Sequence, residues 1–188
     1  MIAVRALGKI GAAAQPALPN LKEFLNSGRA ETAVAAAAAI LRIERTPDQQ
    51  AVSALEREVK NALAPSYGRL SAIKALLEAG LSGQVMKETV EAIFRGPDHP
   101  HVKITAAALC LRLRERNDEA MQFLTNALAS SEAVAGDLAA QALGNLGELA
   151  LPAVPALSQA LQNREPRLRI AVRRALWRIN SATTSQKP

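Results

Sequence analysis

The sixteen residues Ala6 to Leu21, ALGKIGAAAQPALPNL, recur as Ala142 to Leu157, ALGNLGELALPAVPAL, with nine identities at an offset of 136. A phrase repeated at that distance in one short chain points to an internal repeat, and no other feature of this sequence restricts its fold as strongly. With the first Ala of the phrase as anchor, counterparts fall at Ala6, Ala39, Ala75, Leu109, Ala142 and Ala175, at intervals of 33, 36, 34, 33 and 33 residues. The duplicated phrase is therefore two members of a six-member series whose middle members have diverged.

Each unit reads as two helices. In the last one, Pro152 and Pro155 open a first helix, where a missing N–H donor costs nothing, and it runs through Leu157 and Leu161 to a turn at Asn163. The second helix starts near Glu165-Pro166 and carries Leu168, Val172, Ala175 and Ile179 on one face. The same spacing gives Thr32, Ala36, Ala39 and Ile43 in the second unit and Val102, Ala106, Leu109 and Leu113 in the fourth. Thr46-Pro47-Asp48, Ser66, Ser82, Asn117-Asp118 and Ser131 stand where helix starts are expected. No segment alternates apolar and polar residues over a strand's length. Aromatic residues are only 3% of the chain, so Leu, Ile, Val and Ala fill the core, and Ala lets helix axes approach closely.

A two-helix unit of this size cannot bury its apolar face alone, but stacked copies can. The expected fold is all-α: an α-α superhelix, or α-solenoid, of stacked helical hairpins with about five full repeats plus one half repeat. The half repeat is a second helix at 1–11. Repeats follow near 12–45, 46–80, 81–116, 117–147 and 148–180, and 181–188 are expected to form a disordered tail. The missing partner of the first helix has two readings, a fragment of a longer array, which is favoured, or a degenerate cap. At the other end, Arg173 and Trp177 replace the apolar pairs Ala37 and Leu41, Ile73 and Leu77, and Ala107 and Leu111, and are expected to cover the last repeat.

The motif resembles the HEAT repeat in its bacterial HEAT-like form, often written D-P-x-V-R-x-x-A-A-x-A-L-G-x-I-G. Pro166, Leu168, Arg169, Ala171, Ala175, Leu176 and Ile179 fit it, as do Ala6, Leu7, Gly8, Ile10 and Gly11, and Ala142, Leu143, Gly144, Leu146 and Gly147. Pro100, Val102 and Lys103 stand in for P-V-R in the fourth unit. The third unit departs from the motif, with a longer first helix (Asp48 to Leu63) and no P-V-R, and the fifth has Ala135-Gly136 at the V-R positions. The landmark residues of tetratricopeptide repeats are absent. The resemblance implies a fold and a binding role, and leaves the partner open.

Little in the chain suggests catalysis. His99 and His101 in GPDHPHV have no third ligand nearby and read as a solvated turn, with Asp98 or His99 at a helix N-cap. HEAT-like deoxyhypusine hydroxylases bind iron through His-Glu pairs, and no His here is followed by Glu. Cys110, the single cysteine, aligns with core positions and reads as a buried apolar residue in a reducing compartment. The glycine pairs Gly8/Gly11 and Gly144/Gly147 read as helix C-caps rather than a phosphate loop. No catalytic residue, metal site or cofactor is expected. No window approaches the roughly 20 apolar residues of a membrane helix, and the chain is expected to be cytoplasmic, as a monomer or a piece of a larger protein.

One pattern stands out. On the second helices, two rows lie off the core face: Arg5, Ala38, Lys74, Ala108, Gln141, Arg174 and Lys9, Arg42, Glu78, Arg112, Asn145, Arg178. Second helices line the concave surface of HEAT-type arrays, so Arg5, Lys9, Arg42, Lys74, Arg112, Arg174 and Arg178 are the candidate partner-binding residues. The net charge of +6 agrees with such a basic ridge. The competing reading is a row of cations that only solvates an exposed helix face and favours the helix dipole. The function expected from these features is a non-catalytic protein–protein interaction scaffold that holds an acidic or mixed-charge protein or peptide. Nucleic-acid binding on the same ridge is the alternative, as in HEAT-like DNA glycosylases, although aromatic stacking residues are few. A chromophore-attachment subunit of the bilin-lyase kind rests on the repeat form alone.

Overall fold

The computed structural model describes residues 2–44, 47–130 and 133–184. Eleven α-helices and two 3-10 segments make up its regular structure, and no strand occurs among the described residues. The chain forms two compact units, residues 1–89 and 90–188.

The first unit holds α1 (Ile2–Ile10), a 3-10 segment (Gly11–Ala17), α2 (Leu18–Phe24), α3 (Ala30–Glu44), α4 (Gln49–Lys60), α5 (Ser66–Glu78) and the start of α6 (Gln84–Arg95). The second helices of successive repeats, α1, α3 and α5, pack in sequence, while α2 and α4 each pack against the second helix of their own repeat. In this stack α3 meets α1, α2, α4 and α5. That crowding suits its Ala run, because small residues let a helix pack closely on several sides, with Ile40 and Ile43 filling the space that remains. Ala36, Ala37, Ala39, Ile40 and Ile43 are all at most 1% exposed. Leu21, Leu55, Leu70, Ile73 and Leu76 complete the core.

The second unit holds the end of α6, then α7 (Pro100–Leu113), α8 (Asn117–Leu128), α9 (Ala133–Leu146), a second 3-10 segment (Gly147–Ala153), α10 (Val154–Ala160) and α11 (Pro166–Thr184). Here α7, α9 and α11 pack in sequence, with α8 against α7 and α9 and α10 against α11. Leu168, Val172, Ala175 and Ile179, the face read from the sequence, are all buried. Phe94 and Phe123 meet edge to face with ring centroids 5.5 Å apart.

The duplicated phrase takes the same form twice. A second helix runs to a glycine in the left-handed region (Gly11 φ 70°, Gly147 φ 58°). A seven-residue 3-10 segment follows, and then a short helix with proline in its first two positions. Pro152 therefore lies inside the 3-10 segment, and α10 starts at Val154 rather than at Pro152. The two glycines of each pair do different work, which corrects the expectation that both are caps. Gly8 and Gly144 lie within their helices, where an added Cβ would come 3.0 Å from the Ala39 Cα and 2.8 Å from the Ala175 Cα. Neighbouring second helices approach there nearly backbone to backbone, and only glycine leaves the space.

Other boundaries also shift. Asp48 caps α4 by accepting the Ala51 N–H at 2.8 Å, but the helix ends at Lys60, short of Leu63. Ser66 lies inside α5, whose N-cap is Pro65. α6 begins at Gln84, past Ser82, and α8 begins at Asn117 behind Arg116 in a left-handed conformation. α11 continues to Thr184, so residues 181–184 are helical rather than a tail, and 185–188 lie outside the described residues. Thr46 and Ser131 also lie outside them. Trp177 is 70% exposed, and Arg173 beside it is exposed as well. No helix among the described residues is long and apolar enough to cross a membrane.

Two predictions follow from this packing. Gly144→Ala places a methyl group against the α11 backbone, and despite alanine's better helix propensity it is expected to destabilise the chain by about 1–3 kcal/mol in urea unfolding; unchanged or higher stability would show that the helices can separate there. The second concerns Asp48, whose ionisation burial opposes. Hydrogen bonds from the Lys22 ammonium, 2.8 Å away, and from the Ala51 N–H outweigh that effect and hold its pKa below the ordinary carboxyl value. A lowered folded-state pKa gives stability that is present at neutral pH and lost as pH falls through the folded value. Asp48→Asn keeps the cap but loses the charge, so it is expected to cost about 0.5–1 kcal/mol at pH 7. The gap to the parent chain should close in acid, and a gap independent of pH would contradict this.

Candidate functional site

In the first unit, three helices present one face each to a common cleft. α1 supplies Arg5 and Lys9, one turn apart; α3 supplies Glu31, Ala35, Ala38 and Arg42; α5 supplies Tyr67, Ser71 and Lys74. These residues repeat at helical spacing along each element, so they form rungs across the stacked helices. Alanines on α3 leave the floor low between longer side chains, and the cleft has a volume of about 650 Å³. It thus joins four of the seven candidate residues, Arg5, Lys9, Arg42 and Lys74.

The cleft is less basic than the ridge expected from the sequence rows. The Arg42 guanidinium is paired with Glu78 through both Nε, at 3.2 Å, and Nη2. Arg5 lies 4.0 Å from Glu31. Lys9 and Lys74 are exposed on the rim. Tyr67 adds a ring that is 58% exposed, and such a ring supplies contact area at low entropy cost. The cleft therefore combines cations, carboxylates and apolar surface.

A further carboxylate lies at the bottom. Glu58 of α4 is only 7% exposed, yet it lines this cleft and also a smaller depression with Arg29 and Arg57 on its other side. Its Oε1 occupies the space beside Gly68, 2.7 Å from where a Cβ would stand. Glu58 is not among the residues expected from the sequence, which all lie on second helices. The signal was present: Ala51, Leu55 and Glu58 share one helical face, so a charge occupies a core-facing position of α4.

In the second unit, Arg174 and Arg178 on α11 line a smaller depression of about 320 Å³ with Asp137, Gln141 and Arg167. Arg178 donates to the Asn145 Oδ1 at 2.6 Å, which joins the equivalent positions of two successive repeats. Arg112, the remaining candidate, is exposed on α7.

The residues considered for chemistry have structural roles. His99 is the N-cap of α7, and its Nδ1 accepts the His101 N–H at 3.3 Å. Among the described residues, no group of three or more His, Cys, Asp or Glu side chains is placed to hold a metal ion. Cys110 is fully buried in α7, and its thiol pKa is pushed up to about 12, chiefly by burial and secondarily by the Glu91 carboxylate. A thiol held protonated at neutral pH is a poor nucleophile. Its reaction with an aromatic disulfide reagent at pH 8 is expected to be at least about a hundredfold slower in the native chain than in urea; equal rates would place Cys110 at the surface.

No protein-family model matches the chain, and no curated protein matches it. Among solved structures, the crystal structure of an engineered protein from the Northeast Structural Genomics Consortium is similar to it. The TM-score is 0.46 and the identity 21%, over 96% of this chain and 90% of that one.

Proposed function

We propose that the chain is a HEAT-like repeat protein that binds an extended protein segment of mixed charge and performs no chemistry itself. The observation that supports this reading is the cleft across α1, α3 and α5. Helical repeats are rigid, and a rigid groove binds an extended segment without a large ordering cost on its own side. Cations at the rim steer acidic residues toward it, and the apolar floor with Tyr67 supplies contact area. Charge alone could serve nucleic acid as well. The internal pairing of Arg42 with Glu78, and the carboxylates Glu31 and Glu58 in the cleft, favour a protein ligand, because carboxylates repel a phosphate backbone.

The reading predicts that a fluorescein-labelled, glutamate-rich peptide binds the chain in an anisotropy titration. Reversing both rim cations, Lys9→Glu with Lys74→Glu, is expected to weaken that binding about tenfold. Affinity unchanged by the double reversal would reject the cleft as the site. Tighter binding to a 20-base-pair DNA duplex, falling steeply between 50 and 200 mM salt, would favour nucleic acid instead.

A further inference from the structure

The most unusual group in the molecule is Glu58. A carboxyl group that is 93% removed from solvent normally has a cation or several hydrogen-bond donors around it, because isolated burial is costly. Glu58 has neither: no ion pair or side-chain hydrogen bond reaches its carboxylate among the described residues. The nearby cations are engaged elsewhere or turned outward. Arg42 is held by Glu78, Arg5 faces Glu31, and Lys9 and Lys74 project from the rim. Arg29 and Arg57 border the depression on the far side and form no ion pair with it. The carboxylate is not sealed in, because no fully enclosed side-chain oxygen lacks a partner among the described residues. Its exposed fraction faces the cleft and the adjoining depression.

We infer that Glu58 is the receptor for a basic side chain, a guanidinium or ammonium group, carried by the partner segment and inserted into the cleft of the first unit. The inference rests on the peptide-binding reading and specifies its chemistry. A metal ion does not fit, since it needs several donors and no such group surrounds Glu58. An organic cation needs one good acceptor and an apolar sleeve for its methylene stem. The cleft offers both, with Val34, Ala35, Ala38 and Ala75 along the walls. Gly68 completes the arrangement, because only a residue without a Cβ leaves room for the carboxylate against α5. Lys9 and Lys74 then suit acidic residues on either side of the basic anchor. The pattern complementary to the cleft is acidic, basic, acidic, which explains how a site with more cations than carboxylates can take a cation at its centre.

The test uses the whole chain and two fluorescein-labelled nonapeptides, rich in glutamate and identical except for a central arginine or its neutral isostere citrulline. Anisotropy titrations measure both affinities for the parent chain, Glu58→Gln and Gly68→Ala, with circular dichroism confirming the helical fold of each. For the parent chain the arginine peptide is expected to bind about tenfold tighter. In Glu58→Gln the two peptides should bind equally. Gly68→Ala keeps the charge but drives the carboxylate from its place, so the preference should shrink there too. Equal affinities for the parent chain, or a preference that persists in Glu58→Gln, would overturn the inference. If both peptides bind equally and both weaken when Lys9 and Lys74 are reversed, the inference fails while the peptide-binding reading stands; if neither binds, both fall.

Discussion

Within each unit, the backbones of neighbouring second helices nearly touch, at Gly8 against Ala39 and at Gly144 against Ala175. The packing of the hairpins on either side of these two contacts depends on them. They set how closely the stacked hairpins pack, and so how much Leu, Ile and Val surface each helix buries on the next. Hydrophobic burial stabilises the stack, but small residues decide its spacing. α3 shows the same rule in its most crowded form, with alanines wherever four other helices converge on it.

Close packing also makes the cleft. When second helices approach to this degree, the residues just off the contact line come into register across neighbouring repeats. Arg5, Ala38 and Lys74 form one rung, and Lys9, Arg42 and Glu78 the next. Side chains in one rung can then interact, as Arg42 does with Glu78 in the first unit and Arg178 with Asn145 in the second. A row of cations read along the sequence becomes a patchwork of paired and unpaired charges once neighbours meet. In the cleft of the first unit, no ion pair is seen for Lys9, Lys74 or Glu58 among the described residues.

The helical elements were legible because their signals are local. Apolar spacing marked the buried faces of α3, α7 and α11, except that Thr32 and Val102 at the starts of α3 and α7 are only half-buried. Asp48 announced the start of α4, and the left-handed glycines marked the ends of α1 and α9. The errors cluster where local signals compete with packing. Ser66 has the character of a cap, yet α5 starts one residue earlier, because Pro65 takes the capping position with extended backbone geometry. Gly8 and Gly144 look like termination signals, yet a neighbouring helix is what requires them. The helical propensity of SATT is unremarkable, yet those residues extend α11, as packing routinely overrides propensity at helix ends.

By itself, the sequence determined the repeat period, the all-helical class and the face of each second helix that turns inward, because all three follow from the spacing of residue types along one chain. Tertiary structure alone decided which charges are neutralised and which remain. The pairing of Arg42 with Glu78 spans 36 residues, and the burial of Glu58 depends on the missing Cβ of Gly68 on the next helix. Charge interactions act through space between repeats, so their outcome appears only when the helices carrying them are brought together.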